Sequence, residues 1–100
     1  MNILIYGIGA MGSIYASMLS KHGNKVFVID KWEDHINAIN KNGLKVEGAS
    51  GNNINKSLIA STTVPLDINF DIILISTKAS GVKKAAYEVK KIIKDHTIVI

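Results

Sequence analysis

The chain has 100 residues and no cysteine. Disulfides and thiolate-ligated metal sites are therefore excluded. No apolar run approaches the ~18–20 residues of a membrane-crossing helix, so no membrane association is expected. An apolar stretch already begins at Asn2. That leaves no room for a signal peptide ahead of it, and a cytoplasmic location is the expectation. His22, His35 and His96 lie far apart in sequence. No pair has metal-ligand spacing, so all three are expected at the surface. Proline occurs once, at Pro65, where it ends a β-leaning stretch. There is no low-complexity tract, and no internal repeat beyond alternating strands and helices.

Hydrophobic residues make up 47% of the chain, enough to bury a core in a single domain. The net charge is +4, with an isoelectric point near 9.4. The lysines are dispersed, however. The densest group (Lys83, Lys84, Lys90, Lys91 and Lys94) is interleaved with apolar positions on one predicted helix. It reads as a solvated helix face and not as a nucleic-acid surface. A modest positive field would suit anionic cofactors and keto acids.

The most informative stretch is Gly7-Ile8-Gly9-Ala10-Met11-Gly12. An apolar run, Asn2 to Tyr6, precedes it. Met11, Ile14, Tyr15, Met18 and Leu19 follow at helical spacing, and a second apolar run, Val26 to Ile29, ends at Asp30. This is G-x-G-x-x-G between strand and helix, with an acid closing the next strand. Gly7 lets the chain turn sharply, Gly9 leaves space for a pyrophosphate, and Gly12 permits close helix packing. The helix starting near Ala10 or Met11 turns free N–H groups toward the phosphates. Asp30 is placed to accept hydrogen bonds from a ribose diol. A glycine turn that merely packs a helix on a sheet would explain Gly7 and Gly12. It would explain neither Gly9 nor the terminal acid.

Gly23 is expected to close the first helix, before a strand over Lys25 to Ile29. Trp32 and Glu33 lead into a helix with Ile36 and Ile39 on its apolar stripe, ended by Gly43. Trp32 could border an adenine or act as a hydrophobic staple. Leu44 to Glu47 alternates as a short strand, and Gly48 to Lys56 reads as a polar loop. Leu58 to Val64 is expected to pair with Leu44–Glu47 in a hairpin-like excursion. Asp71 to Ile75 has the β-branched character of a strand buried on both faces. Ser76, Thr77 and Lys78 form the loop at its carboxyl end. Ser80 is a candidate N-cap. The next helix carries Val82, Ala85, Ala86, Val89, Ile92 and Ile93 on one face and Lys94 in its last turn. Tyr6 and Tyr15 are expected in the core or at a sheet edge. Thr97 to Ile100 reads as a last strand. Because the chain stops inside it, an N-terminal fragment of a longer protein is expected.

Alternation of strand and helix predicts an α/β fold: a Rossmann-type doubly wound, mainly parallel sheet with flanking helices. The first strand should lie between the second and the Asp71–Ile75 strand. The loops Gly7–Gly12, Asp30–Trp32 and Ser76–Lys78 would then open onto one crevice.

Four segments taken together resemble the ketopantoate reductase (2-dehydropantoate 2-reductase) family: Gly7–Ser13, Asp30–His35, Asn40–Val46 and Asp71–Ala79. The resemblance implies an NAD(P)-dependent oxidoreductase that reduces a 2-keto acid, ketopantoate, to pantoate. Residues 1–100 would be the cofactor-binding domain, with Gly7, Ile8, Gly9, Ala10, Met11, Gly12, Asp30, Lys31, Thr77 and Lys78 as cofactor-binding residues. It places the catalytic residues and a helical domain beyond Ile100, and any homodimer contact would belong to that domain. Lys78 would lie near the cofactor's phosphate and ribose. The family implies NADP(H), whereas Asp30 repels a 2′-phosphate and favours NAD(H), partly offset by Lys31 and Lys78. Other readings are a reductase of another branched 2-keto acid and a non-enzymatic nucleotide-sensing module.

Overall fold

The computed structural model describes residues 1–46, 53–55, 58–77 and 79–100. Strand β1 (Asn2–Tyr6) leads through the glycine turn into helix α1 (Ala10–Lys21), followed by β2 (Lys25–Ile29) and α2 (Glu33–Asn42). Short strands β3 (Leu44–Val46), β4 (Asn53–Asn55) and β5 (Ile59–Ser61) come next. Strand β6 (Ile72–Ile75) precedes α3 (Ala79–Val89), which runs into a 3₁₀ turn over Lys90–Ile92, and β7 (Ile98–Val99) is last. Gly23 and Gly43 stand just past α1 and α2, as expected, both with positive φ.

The main sheet has the order β5-β2-β1-β6-β7. All four pairings are parallel, and β1 sits at the centre between β2 and β6. This is the Rossmann-like doubly wound fold expected from the alternation of elements. Strand periodicity sorts the core into two layers. Ile3, Ile5, Val26 and Val28 pack with Ile8, Ala16, Ile36 and Ile39 on one face. Leu4, Phe27, Ile29 and Ile73 pack with Phe70, Val89 and Ile92 on the other. The rings of Phe27 and Phe70 meet edge to face at 5.2 Å on that second face.

The structure corrects several local expectations. The expected hairpin between Leu44–Glu47 and Leu58–Val64 does not form. Strand β3 pairs antiparallel with β4, inside the stretch expected to be loop, and β5 joins the main sheet beside β2. Asn40 makes that placement possible: its side chain bonds both the N–H and the carbonyl of Ala60. The remainder of the Gly48–Lys56 stretch, together with Glu47, lies outside the described residues.

Helix α1 turns its small residues to the sheet, with Gly12, Ala16 and Ser17 buried, while Ile14, Tyr15 and Met18 are 40%, 39% and 55% exposed. Close approach to β1 selects the small face over the larger apolar one. Helix α3 and the 3₁₀ turn after it bury Ala85, Val89 and Ile92, whereas Val82, Ala86 and, beyond the turn, Ile93 are exposed. The helix begins at Ala79, so Ser80 lies inside it and is not its cap. Lys94 lies beyond the 3₁₀ turn. Strand β6 buries only Ile73 fully, because its outer neighbour β7 is two residues long and exposed. Asp71, just before β6, accepts the Asn2 N–H at 2.8 Å and lies 3.7 Å from His96.

Candidate functional site

The carboxyl ends of β1, β2 and β6 open onto one cleft of about 660 Å³. Strand order reverses at β1, so the cleft lies at the switch point where ligands of open α/β sheets bind. Its floor is the glycine turn. Gly7 has φ +101°, and a Cβ there would sit 2.9 Å from the Ser76 carbonyl and the Thr77 methyl group. At Gly12 a Cβ would come within 2.2 Å of the Gly7 carbonyl oxygen. These two glycines let strand, turn and helix touch. Gly9 differs, because nothing lies within 4 Å of its Cβ position. The turn is held to the sheet by the Gly7 N–H donating to Ile29 at 2.7 Å, and the Ser13 N–H closes the first turn of α1 on the Gly9 carbonyl at 2.9 Å.

One wall follows β2. The Asp30 carboxylate accepts the Ile8 N–H at 3.0 Å through Oδ2 and the Trp32 N–H at 3.1 Å through Oδ1. Lys31 and Trp32 are exposed at the rim. Trp32 stands edge-on to His35, with ring centroids 6.3 Å apart. The indole is 70% exposed, so it borders the cleft and does not staple α2. The opposite wall is Ser76 and Thr77 with Gly81 and Lys84 of α3. The Thr77 hydroxyl is buried there and has no hydrogen-bond partner among the described residues. At the end of β1, the Tyr6 hydroxyl donates to Glu88. Burial, then that hydrogen bond, then the charges of Glu88 and Asp30 push the Tyr6 hydroxyl well above the usual tyrosine range.

Residues 3–100 match the family model described as ketopantoate reductase PanE/ApbA. The chain belongs to this family. The 2-dehydropantoate 2-reductase of Lactococcus lactis subsp. lactis (strain IL1403) is 37% identical over 106 residues, covering 100% of this chain and 32% of that protein. The PanE/ApbA family ketopantoate reductase from Ralstonia eutropha JMP134 is 30% identical with a TM-score of 0.86, over 99% of this chain and 33% of that one. D-mandelate dehydrogenase, solved with NADH and anilino(oxo)acetate, is 33% identical with a TM-score of 0.88, over 99% and 32% of the two chains. The chain thus spans about a third of the length of these relatives.

Of the residues singled out for this family in the sequence, Gly7, Ile8, Gly9, Asp30, Lys31 and Thr77 line the cleft together. Ala10 and Met11 open α1, and Gly12 is buried behind the turn. Lys78 lies outside the described residues. The cleft also contains Tyr6, Ser13, His35, Gly81 and Lys84, which motif reasoning passed over. His35 is half-buried in the wall, not a plain surface group. Lys84 had one available signal: it falls a helical turn after Gly81, so the two share the cleft-facing side of α3. No group of three or more metal-ligating side chains occurs among the described residues. No helix among them is long and apolar enough to cross a membrane.

Proposed function

We propose that this chain is the nucleotide-binding unit of a nicotinamide-dependent 2-keto acid reductase, with 2-dehydropantoate as substrate and pantoate as product. The carrying observation is the open space at Gly9, in a cleft at the carboxyl edge of the sheet. A dinucleotide fits what lines that cleft. Gly9 leaves room for a pyrophosphate, and the first turn of α1 offers N–H groups and a positive dipole end. The Thr77 hydroxyl, without a hydrogen-bond partner among the described residues, supplies a further donor, and Lys31 and Lys84 add positive charge at the rim. Nicotinamide, when bound, would supply the hydride that converts ketone to alcohol. The residues of this chain would bind and orient. The proton donor and the acid that grips the substrate would come from a helical domain in the further two thirds of length that the relatives have.

A second reading, reduction of another branched 2-keto acid, is favoured by the similarity to D-mandelate dehydrogenase. Asp30 and the NADH of that relative favour NAD(H), while the family resemblance favours NADP(H). The test is a panel of 2-keto acids with NADH and NADPH on the protein carrying both domains, beside direct cofactor titration followed by nicotinamide fluorescence. Saturable cofactor binding with 2-dehydropantoate as the best substrate is expected. Another preferred keto acid would select the second reading, and binding of neither cofactor would overturn both.

A further inference from the structure

We propose that Asp30 is a positioning residue, a latch that fixes the Ile8 peptide and so presets the glycine turn for the phosphates it would meet. This builds on the cofactor reading above, although the latch can be observed without any cofactor. A ribose reader needs only a carboxylate at the end of β2. Here both carboxylate oxygens already hold backbone N–H groups, Oδ2 that of Ile8 and Oδ1 that of Trp32. The Trp32 bond is a local turn that any aspartate two residues upstream could form. The Ile8 bond is different, because it crosses 22 residues of sequence and joins the floor of the cleft to one of its walls.

Ile8 sits where the turn needs a fixed point. Gly7 is tied to Ile29, and the first helical bond is accepted by Gly9. Between them the Ile8 N–H rests on Asp30, the Ile8 carbonyl accepts the Ser13 hydroxyl at 3.4 Å, and the Ile8 side chain is buried in the core. The carbonyl of Ile8 and the N–H of Gly9 belong to one peptide plane and point in opposite directions. Holding Ile8 at both ends therefore sets the direction of the Gly9 N–H. A carboxylate offers about four acceptor positions, so Asp30 can still meet a ribose hydroxyl. Removing its charge, however, loosens the turn for either cofactor.

The test has two parts. In a pH titration of the cofactor-free protein, the Ile8 and Trp32 amide protons should move together in one carboxylate step. Asp30→Asn should abolish that step at Ile8. In cofactor titrations, Asp30→Asn should weaken NADH by about tenfold, the scale set by hydrogen bonds to charged groups, and should weaken NADPH by less, because the same change relieves the repulsion of a 2′-phosphate. A wild-type Ile8 amide that ignores carboxylate titration would overturn the latch, and this measurement needs no variant to fold. The latch would also fall if Asp30→Asn weakened NADH while strengthening NADPH, the behaviour of a simple ribose reader. If Ile8 titrates and the wild type binds neither cofactor, the latch stands and the cofactor reading fails.

Discussion

Gly9 is the residue at which the fold and the proposed binding separate most cleanly. Its backbone, φ −74° and ψ −162°, is extended and open to a β-branched side chain, and its Cβ direction is empty. Gly9→Val should keep a thermal midpoint near that of the wild type while abolishing NADH and NADPH binding, as read by fluorescence titration. Gly12→Ala should do the reverse of sparing the fold, since its methyl group would meet the Gly7 carbonyl at 2.2 Å. The motif assigns each glycine a different steric demand, and the tight packing at Gly7 and Gly12 and the open space at Gly9 agree with it. It could not reveal that Asp30 is bonded to Ile8. That contact depends on how the β2 end approaches the glycine turn, and nothing near Asp30 in sequence encodes it. Tyr6, His35 and Lys84 escaped for a similar reason. Whether a strand-end tyrosine or a helix lysine reaches a cleft depends on which sheet face its neighbours cover.

At the scale of elements, β1, α1, β2 and α2 were legible almost to the residue, since apolar spacing and the glycines at 7, 23 and 43 mark their ends. Strand β4 was not. Asn53-Ile54-Asn55 offers one apolar residue and two turn formers, and only its partner β3 makes it a strand. Strand β5 was recognisable as β but not as a member of the main sheet, because a short apolar run fits a hairpin or a sheet edge equally well. Its place is marked by the Asn40 fork, at 3.0 Å to the Ala60 carbonyl and 3.3 Å from the Ala60 N–H. Asn40→Ala should cost about 1–2 kcal/mol, the net worth of one or two such bonds. Denaturant melts check the magnitude. Hydrogen exchange should find the Ala60 amide losing protection before β1 or β2.

For the molecule as a whole, alkaline pH tests how β1 is joined to α3. Tyr6 donates to Glu88, and its hydroxyl loses its proton less readily folded than unfolded. The folded state therefore holds more protons than the unfolded state above the ordinary tyrosine range near 10. Stability should be fully present below that pH and fall as pH rises beyond it. Tyr6→Phe should flatten this dependence, as chemical denaturation at a series of alkaline pH values would register. The sheet order has a different consequence, concerning time. The central strand is also the first: residue 3 pairs with residue 26 on one side and residue 72 on the other. At ~5–20 residues per second on the ribosome, the Ile3–Leu4–Ile5 run is made seconds before its second neighbour exists. One edge of the central strand is left open to other nascent chains throughout that interval. Closing so long a loop is also entropically slow. The strand that anchors the finished cleft is thus the one most exposed to misassembly while the protein is being made.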